Sequence, residues 1–186
     1  NRKFIELSIQ ELNNFTVPKN FRGKNKIFVQ IWFIVQSTFF AWSPHSFYNY
    51  RNFILRLFGA KIGKGVKVRS TCRITYPWKV CIGKYSWIGE DVILYSLGDI
   101  EIGQNVVISQ KSYLCTGSHD YQSSYFDMYA KKILVEDYVW IATDVFIAPG
   151  VTIGEGSLIG ARSSVFSDIS SNSICYGSPA KKIKNR

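Results

Sequence analysis

Histidine occurs only twice in the 186 residues, at His45 and His119, and that scarcity already excludes a class of chemistry. A zinc centre built on three imidazoles cannot be assembled from two, and no metal is called for. The four cysteines (Cys72, Cys81, Cys115, Cys175) contain no C-x-x-C pair, which removes zinc ribbons and redox dithiols and points to buried, reduced thiols. The longest strongly apolar stretch, Ile27 to Trp42, is sixteen residues with Gln30 and Gln36 inside it. That is short of the roughly twenty residues a membrane span requires. Asn1 to Gln10 lack the charged-then-apolar layout of a signal peptide, so a cytoplasmic location is expected. Helix-turn-helix, zinc-finger and RNP patterns are missing too, so nucleic acid is not expected as a partner.

Acidic residues are few: 13 Asp and Glu stand against 23 Lys and Arg, for a net charge of +10. An excess of that size suits an anionic partner. The basic residues gather in front (Arg2, Lys3, Lys19, Arg22, Lys24, Lys26, then Arg51, Arg56, Lys61, Lys64, Lys67, Arg69) and behind (Lys181, Lys182, Lys184, Arg186). Phosphates of a cofactor, a nucleotide-linked substrate or an acidic membrane would each match them. With 46% hydrophobic and 19% charged residues, the chain has the composition of a folded protein, and its length is one domain's worth.

What the sequence does have is a period of six. Apolar residues recur at Ile62, Val68, Ile74, Val80; at Ile82, Ile88, Leu94, Ile100; at Ile102, Ile108, Leu114; and at Val135, Ile141, Ile147, Ile153, Ile159, Val165. Four positions after most anchors stands a smaller residue, among them Val66, Cys72, Ser86, Val92, Gly98, Val106, Ser112, Val139, Val145, Val151, Ser157 and Ser163. A helix repeats every 3.6 residues and would throw the sixth position to its opposite side, so the pattern requires strands and turns. Three hexapeptides make one triangular coil, and stacked coils bury what none could bury alone. The glycines that follow anchors (Gly63, Gly83, Gly89, Gly103, Gly154, Gly160) are expected to ease the corners. Ile62, Ile82 and Ile102 stand two residues further apart than three hexapeptides, which predicts a bulge at one corner of the early coils.

These residues resemble the hexapeptide-repeat acyltransferases, and within them the sugar O-acetyltransferases of the colanic-acid, maltose and galactoside type. The likeness runs from about Phe53 to Ile183. Its most specific pieces are Phe58-Gly59-Ala60-Lys61-Ile62-Gly63, Trp87-Ile88-Gly89-Glu90-Asp91, Gly117-Ser118-His119-Asp120, Val139-Trp140-Ile141-Ala142, Pro149-Gly150-Val151-Thr152-Ile153-Gly154 and Gly177-Ser178-Pro179-Ala180-Lys181. The resemblance implies a mainly β fold, a left-handed parallel β-helix at 61–170 with a loop excursion at 117–132. An N-terminal helical extension at 1–60 and a basic tail at 171–186 flank it. It also implies a homotrimer that uses acetyl-CoA as acyl donor and a carbohydrate as acceptor, in exopolysaccharide, capsule or O-antigen biosynthesis.

The hexapeptide register fails between Gly117 and Lys132, and an irregular excursion from a solenoid is where a site is usually built. His119 lies there. Transfer to an alcohol needs a base that works near neutral pH, which suits an imidazole, and the resemblance gives His119 that role. Either Asp120 or a backbone carbonyl orients the ring. The resemblance makes the amide of Ala142 or of Thr143 the expected oxyanion donor. By the same resemblance, Trp140, Thr143, Gly160 and Ala161 line the pantetheine arm in a groove between two subunits, and Lys181 and Lys184 meet the phosphates of CoA. The place where relatives carry an acceptor-binding Asn falls near Gly89, Glu90 or Asp91.

Two helices are expected before the repeat, one over Ile27 to Trp42 and one from Pro44 to Phe58. They either cap the open end of the solenoid or touch a membrane surface, and the two roles are compatible. N-acetylation of an amino-sugar nucleotide and a non-catalytic scaffold are the other readings of the chain.

Overall fold

The structure is a computed structural model that describes residues 9–186, so Arg2 and Lys3 of the basic front lie outside the described residues. Strands of two or three residues fall at the hexapeptide anchors and stack in parallel into three faces. The first face runs Lys61–Ile62, Val80–Ile82, Ile100–Ile102, Ile133–Val135 and Thr152–Ile153. The second runs Lys67–Val68, Trp87–Ile88, Val107–Ile108, Trp140–Ile141, Leu158–Ile159 and Ser173–Gly177, and antiparallel Ala180–Asn185 closes it. The third runs Arg73–Ile74, Ile93–Tyr95, Tyr113–Cys115, Phe146–Ile147 and Ser164–Val165.

The anchors meet their counterparts one coil away: Ile62 pairs with Ile82, Val68 with Ile88, Ile74 with Leu94, and so on along the stack. All of them are buried in one continuous core. The small second residues are buried as well, except Gly98, whose coil carries the extra residues and buries Ser96 instead, and where they are serine the hydroxyl binds neighbouring backbone on both sides. Ser86 Oγ donates to the Gly103 carbonyl and accepts from the Val106 amide, and Ser112 does the same with Ala142 and Val145. A hydroxyl buried with both bonds made avoids the ~1–3 kcal/mol that an unpaired one costs.

The glycines after the anchors do a different job from the one expected. None has a positive φ; the left-handed corner positions are held by Tyr85, Asp91, Asn105, Lys111, Tyr138, Asp144, Arg162 and Asn172, with Gly65, Gly150 and Gly156. What Gly83 and Gly103 provide is room. A Cβ on Gly83 would stand 2.4 Å from the Gly103 carbonyl carbon, and one on Gly103 would stand 2.8 Å from the Asp137 amide. The backbone of the next coil passes too close for any side chain.

The predicted bulge is present. The extra residues of the first coil form a 3₁₀ turn at Pro77–Lys79, at the corner between the third and first faces. The excursion of the third coil leaves from this same corner: after Tyr113–Cys115 the chain forms an antiparallel hairpin, Gly117–His119 with Met128–Ala130, and rejoins the first face at Ile133.

The N-terminal helices cap the solenoid. Helix α1 spans Lys26–Val35, with the Asn25 side chain accepting from the Phe28 amide, and helix α2 spans Tyr48–Leu57. Helix α1 stops earlier than its apolar run predicts and passes into a wider turn at Gln36–Phe40. The hydroxyls of Ser37 and Thr38 both bond back to the Ile34 carbonyl and compete with the helical ladder. Trp32, Phe40, Leu55 and Phe58 enter the core. Cap side chains also satisfy the free edge of the first coil on all three faces. Arg56 donates to the Ile62 carbonyl, Asn52 to Val66, Arg51 to Val68 and Trp32 to Ile74, while Gln36 accepts from the Ile74 amide.

Arg51 carries the densest part of this cap. Fully buried, it donates to Val68, Ser43, Pro44 and His45. Arg51→Ala leaves those acceptors without a partner and is expected to destabilise the fold by about 3 kcal/mol or more, measured by urea denaturation. A loss under about 1 kcal/mol would show that water replaces the guanidinium without penalty.

Candidate active site

His119 ends the first strand of the hairpin and is half-buried. Its Nδ1 lies 2.8 Å from the carbonyl oxygen of Phe126. A carbonyl only accepts, so Nδ1 carries a proton, and in the neutral ring Nε2 is the nitrogen left with its lone pair, the tautomer a general base needs. The Phe126 ring stacks on the imidazole at 3.9 Å between centroids and 8° between planes. Phe15 packs against it at 5.7 Å, on a segment tied to the excursion by the Glu11 amide donating to the Ser124 carbonyl. Phe126 itself has φ 52°, the left-handed region that a bulky side chain rarely enters.

Asp120 does not orient the ring. Its Oδ1 accepts from the Gln122 amide and closes a local turn, and the Phe126 carbonyl takes the partner's place instead. Neither Phe126 nor Phe15 was legible as part of the site, because the atom that matters in Phe126 belongs to the backbone.

The other expected residues gather elsewhere. Trp140 stands on the second face, about four-tenths exposed, with Nε1 donating to Ser109 Oγ. In register beside that column, Gly89, Ser109, Ala142 and Gly160 form a narrow floor that ends under Tyr176. One position further, at the corner between the second and third faces, Glu90, Gln110, Thr143 and Ala161 line up, followed by Asp91, Lys111, Asp144 and Arg162. Backbone bonds from Lys111 to Glu90, from Asp144 to Gln110 and from Arg162 to Thr143 fix that alignment. Glu90 and Asp91 therefore share a corner with Thr143 and Ala161, two coils nearer the cap, and do not lie beside His119. The Asp91 carboxyl and the Lys111, Asp144 and Arg162 side chains alternate in sign along it.

Of the two amides expected to meet an oxyanion, that of Ala142 is already used, donating to the Ile159 carbonyl at 2.9 Å. Thr143 is left as the candidate; its hydroxyl donates to the Gln110 carbonyl. Lys181 and Lys184 belong to the final strand, paired with Tyr176 and Ile174, so they extend the second face beyond Gly160 as a held edge.

A groove of about 450 Å³ continues the floor toward the cap, between Tyr48, Arg69, Trp87, Glu90 and Gln110. Arg69 donates to the Tyr48 hydroxyl and stands 4.0 Å from Glu90. Sequence reading missed Tyr48 and Arg69 because one comes from the cap and the other from the first coil. Within one chain, then, His119 and the column from Trp140 to Lys181 occupy different corners of the triangle.

No family model matches the chain. An Escherichia coli (strain K12) protein named "Putative colanic acid biosynthesis acetyltransferase WcaF" is 57% identical over 178 residues, covering 96% of this chain and 98% of its own. Galactoside O-acetyltransferase of the same organism is 29% identical over 137 residues, covering 72% of this chain and 68% of its own. Among solved structures, a maltose O-acetyltransferase from Clostridium difficile 630 has a TM-score of 0.79 at 28% identity, covering 87% of this chain and 89% of that one. A galactoside acetyltransferase in complex with coenzyme A shares the fold, with a TM-score of 0.76 at 24% identity over 91% of this chain and 84% of that one. A stacked-coil solenoid with a histidine hairpin at one corner, matched almost end to end at 57% identity, places the chain in the hexapeptide-repeat acyltransferases, among the colanic-acid, maltose and galactoside type.

Proposed function

We propose that this chain transfers an acetyl group from acetyl-CoA to a hydroxyl of a carbohydrate acceptor in the synthesis of an exopolysaccharide, capsule or O-antigen. It does so as a homotrimer in the cytoplasm, at the inner face of the membrane. The observation that carries the chemistry is the Nδ1 bond of His119 to the Phe126 carbonyl, which leaves Nε2 as a base. Nε2 removes the proton of the sugar hydroxyl as its oxygen attacks the thioester carbonyl carbon. The Thr143 amide stabilises the resulting oxyanion. Collapse breaks the carbon–sulfur bond, and the proton held on His119 passes to the departing thiolate, giving the acetyl ester and free CoA. Trp140, Gly160 and Ala161 hold the narrow pantetheine arm, and Lys181 and Lys184 supply charge for the phosphates. The groove at Trp87, Glu90 and Gln110, with Asp91 on its corner, offers an aromatic face and hydroxyl partners to the acceptor.

The separation of His119 from the donor column supports the trimer. A neighbour related by a three-fold axis presents its corner between the second and third faces to the corner of His119, and one complete site forms at each contact.

Free thiol released from acetyl-CoA in the presence of a panel of sugars and amino sugars tests the reaction. Acetylation of an amine in preference to every hydroxyl would replace the O-transfer reading. His119→Asn is expected to lower turnover by about 10²- to 10⁴-fold, and retention of more than about a third of the rate would remove His119 from proton transfer. Asp120→Asn is expected to cost less than the ~10-fold that follows loss of a histidine's orienting partner. Shared sites have their own signature. Trimers reassembled from equal parts His119→Asn and donor-blocked Ala161→Trp chains are expected to recover about a quarter of wild-type activity, whereas sites held within one chain would recover none.

A further inference from the structure

The cap has an outer side that neither the fold nor the acetyl transfer accounts for. Its inner side is used up on the first coil, through Val29 and Trp32 of α1 and Arg51, Asn52 and Leu55 of α2. Capping requires nothing apolar on the other side. Yet α1 turns Ile27, Ile31 and Ile34 outward at helical spacing, and α2 turns Tyr50, Phe53 and Leu57 outward in the same way. The link between them adds Phe39 and Trp42, the latter 83% exposed, around a shallow apolar depression shared with Ile34, Phe47 and Tyr50. Contiguous apolar surface of this kind marks a contact.

Charge says what the contact is with. From Leu12 to Gly89, which runs from the segment lying against the excursion through the cap and the first coil to the start of the second, there are 13 Lys and Arg and no Asp or Glu. From Glu90 to Arg186 there are 8 Lys and Arg against 11 Asp and Glu. The molecule is therefore polarised along the solenoid axis, with its positive pole at the end that carries the exposed aromatics. Lys24, Lys26, Arg56, Lys61 and Lys64 are exposed around that end. A second copy of the chain would bring the same positive field to the contact and be repelled. An anionic bilayer answers both features at once, apolar side chains entering the boundary of headgroups and acyl chains while lysines and arginines meet the lipid phosphates.

We propose that the outer face of the cap is a docking surface for an anionic lipid bilayer, lying on it with Trp42 and Phe39 inserted. No helix among the described residues is long and apolar enough to cross the membrane. The inference gives a surface to the membrane-side location proposed above, and it does not depend on the acetyl-transfer chemistry.

Flotation of the full chain with vesicles of phosphatidylcholine mixed with phosphatidylglycerol tests it, with pure phosphatidylcholine alongside. Binding is expected to the mixed vesicles, to weaken as salt rises, and to fall about tenfold in Phe39→Ser/Trp42→Ser. Lys24→Ser/Lys26→Ser is expected to weaken it too, while Lys182→Ser/Arg186→Ser, which removes equal charge from the opposite end, leaves it unchanged. Acetyl transfer to a soluble acceptor is expected to be the same in all three variants. Three results would overturn the proposal: no binding to mixed vesicles, equal losses from charge removed at either end, or no effect of the aromatic substitutions. Association of trimers that Phe39→Ser/Trp42→Ser abolishes, without vesicle binding, would assign the face to a second copy. A chain that binds vesicles but releases no thiol from acetyl-CoA would sink the enzymatic reading and leave the docking surface standing.

Discussion

Everything in this molecule depends on one coil lying directly on the next. A single coil of three hexapeptides has two-residue sides and an interior of one anchor and one smaller residue per side, which is too little to hold itself together. Stacked, the same coil gains a backbone ladder on each face and a column of anchors such as Val68, Ile88, Ile108, Ile141, Ile159 and Cys175. The close approach sets its own requirements on sequence: no Cβ at Gly83 or Gly103, and a hydroxyl that bonds on both sides where Ser86 and Ser112 stand in the core. It also leaves the first coil with an unpaired edge. That edge explains why a fully buried arginine, an asparagine, a tryptophan and a glutamine from the cap all reach main-chain groups of Ile62 to Ile74.

Stacking also decides where chemistry can be placed. Residues on the faces are fixed by the ladder, so irregular structure can leave only at a corner. The corner between the third and first faces already holds an extra turn in the first coil, and the third coil enlarges it into the hairpin that carries His119. The opposite requirement, a floor without bulk, is met on the second face by Gly89, Ser109, Ala142 and Gly160 in register. A rigid triangle keeps these two places apart within one chain, and the proposed trimer would join them by rotation.

Much of this was legible because the repeat is one residue in six. The anchors from Ile62 to Val165 name the core before any coordinate is known, and the failure of the period at Gly117 marks the excursion. The two capping helices are legible from their apolar spacing, apart from the end of α1, where Ser37 and Thr38 compete for the Ile34 carbonyl. What was not legible is whatever resides in backbone atoms or in registry between coils. The Phe126 carbonyl that orients His119, the Ala142 amide already committed to Ile159, and the true use of Gly83 and Gly103 are of that kind. So is the place of Glu90 and Asp91: sequence distance says nothing about which corner they share, and the stacked coils put them in line with Thr143 and Ala161.

The cap joins the two halves of the functional reading. Its inner side is dictated by the unpaired edge of the first coil, but its outer side is free, and that is where the exposed aromatics and the acid-free stretch of chain coincide. In the proposed trimer the three-fold axis runs along the coil stack, so three caps face the same way and form one basic, apolar end. Three weak contacts in one plane then act as one strong one. The corners that carry His119 and the column from Trp140 to Lys181 lie on the sides of the stack, away from that plane. Docking as proposed would leave the side grooves open and hold them beside the bilayer at a height set by the number of coils between the cap and the excursion. An acceptor anchored to lipid would reach them there without either partner leaving the surface.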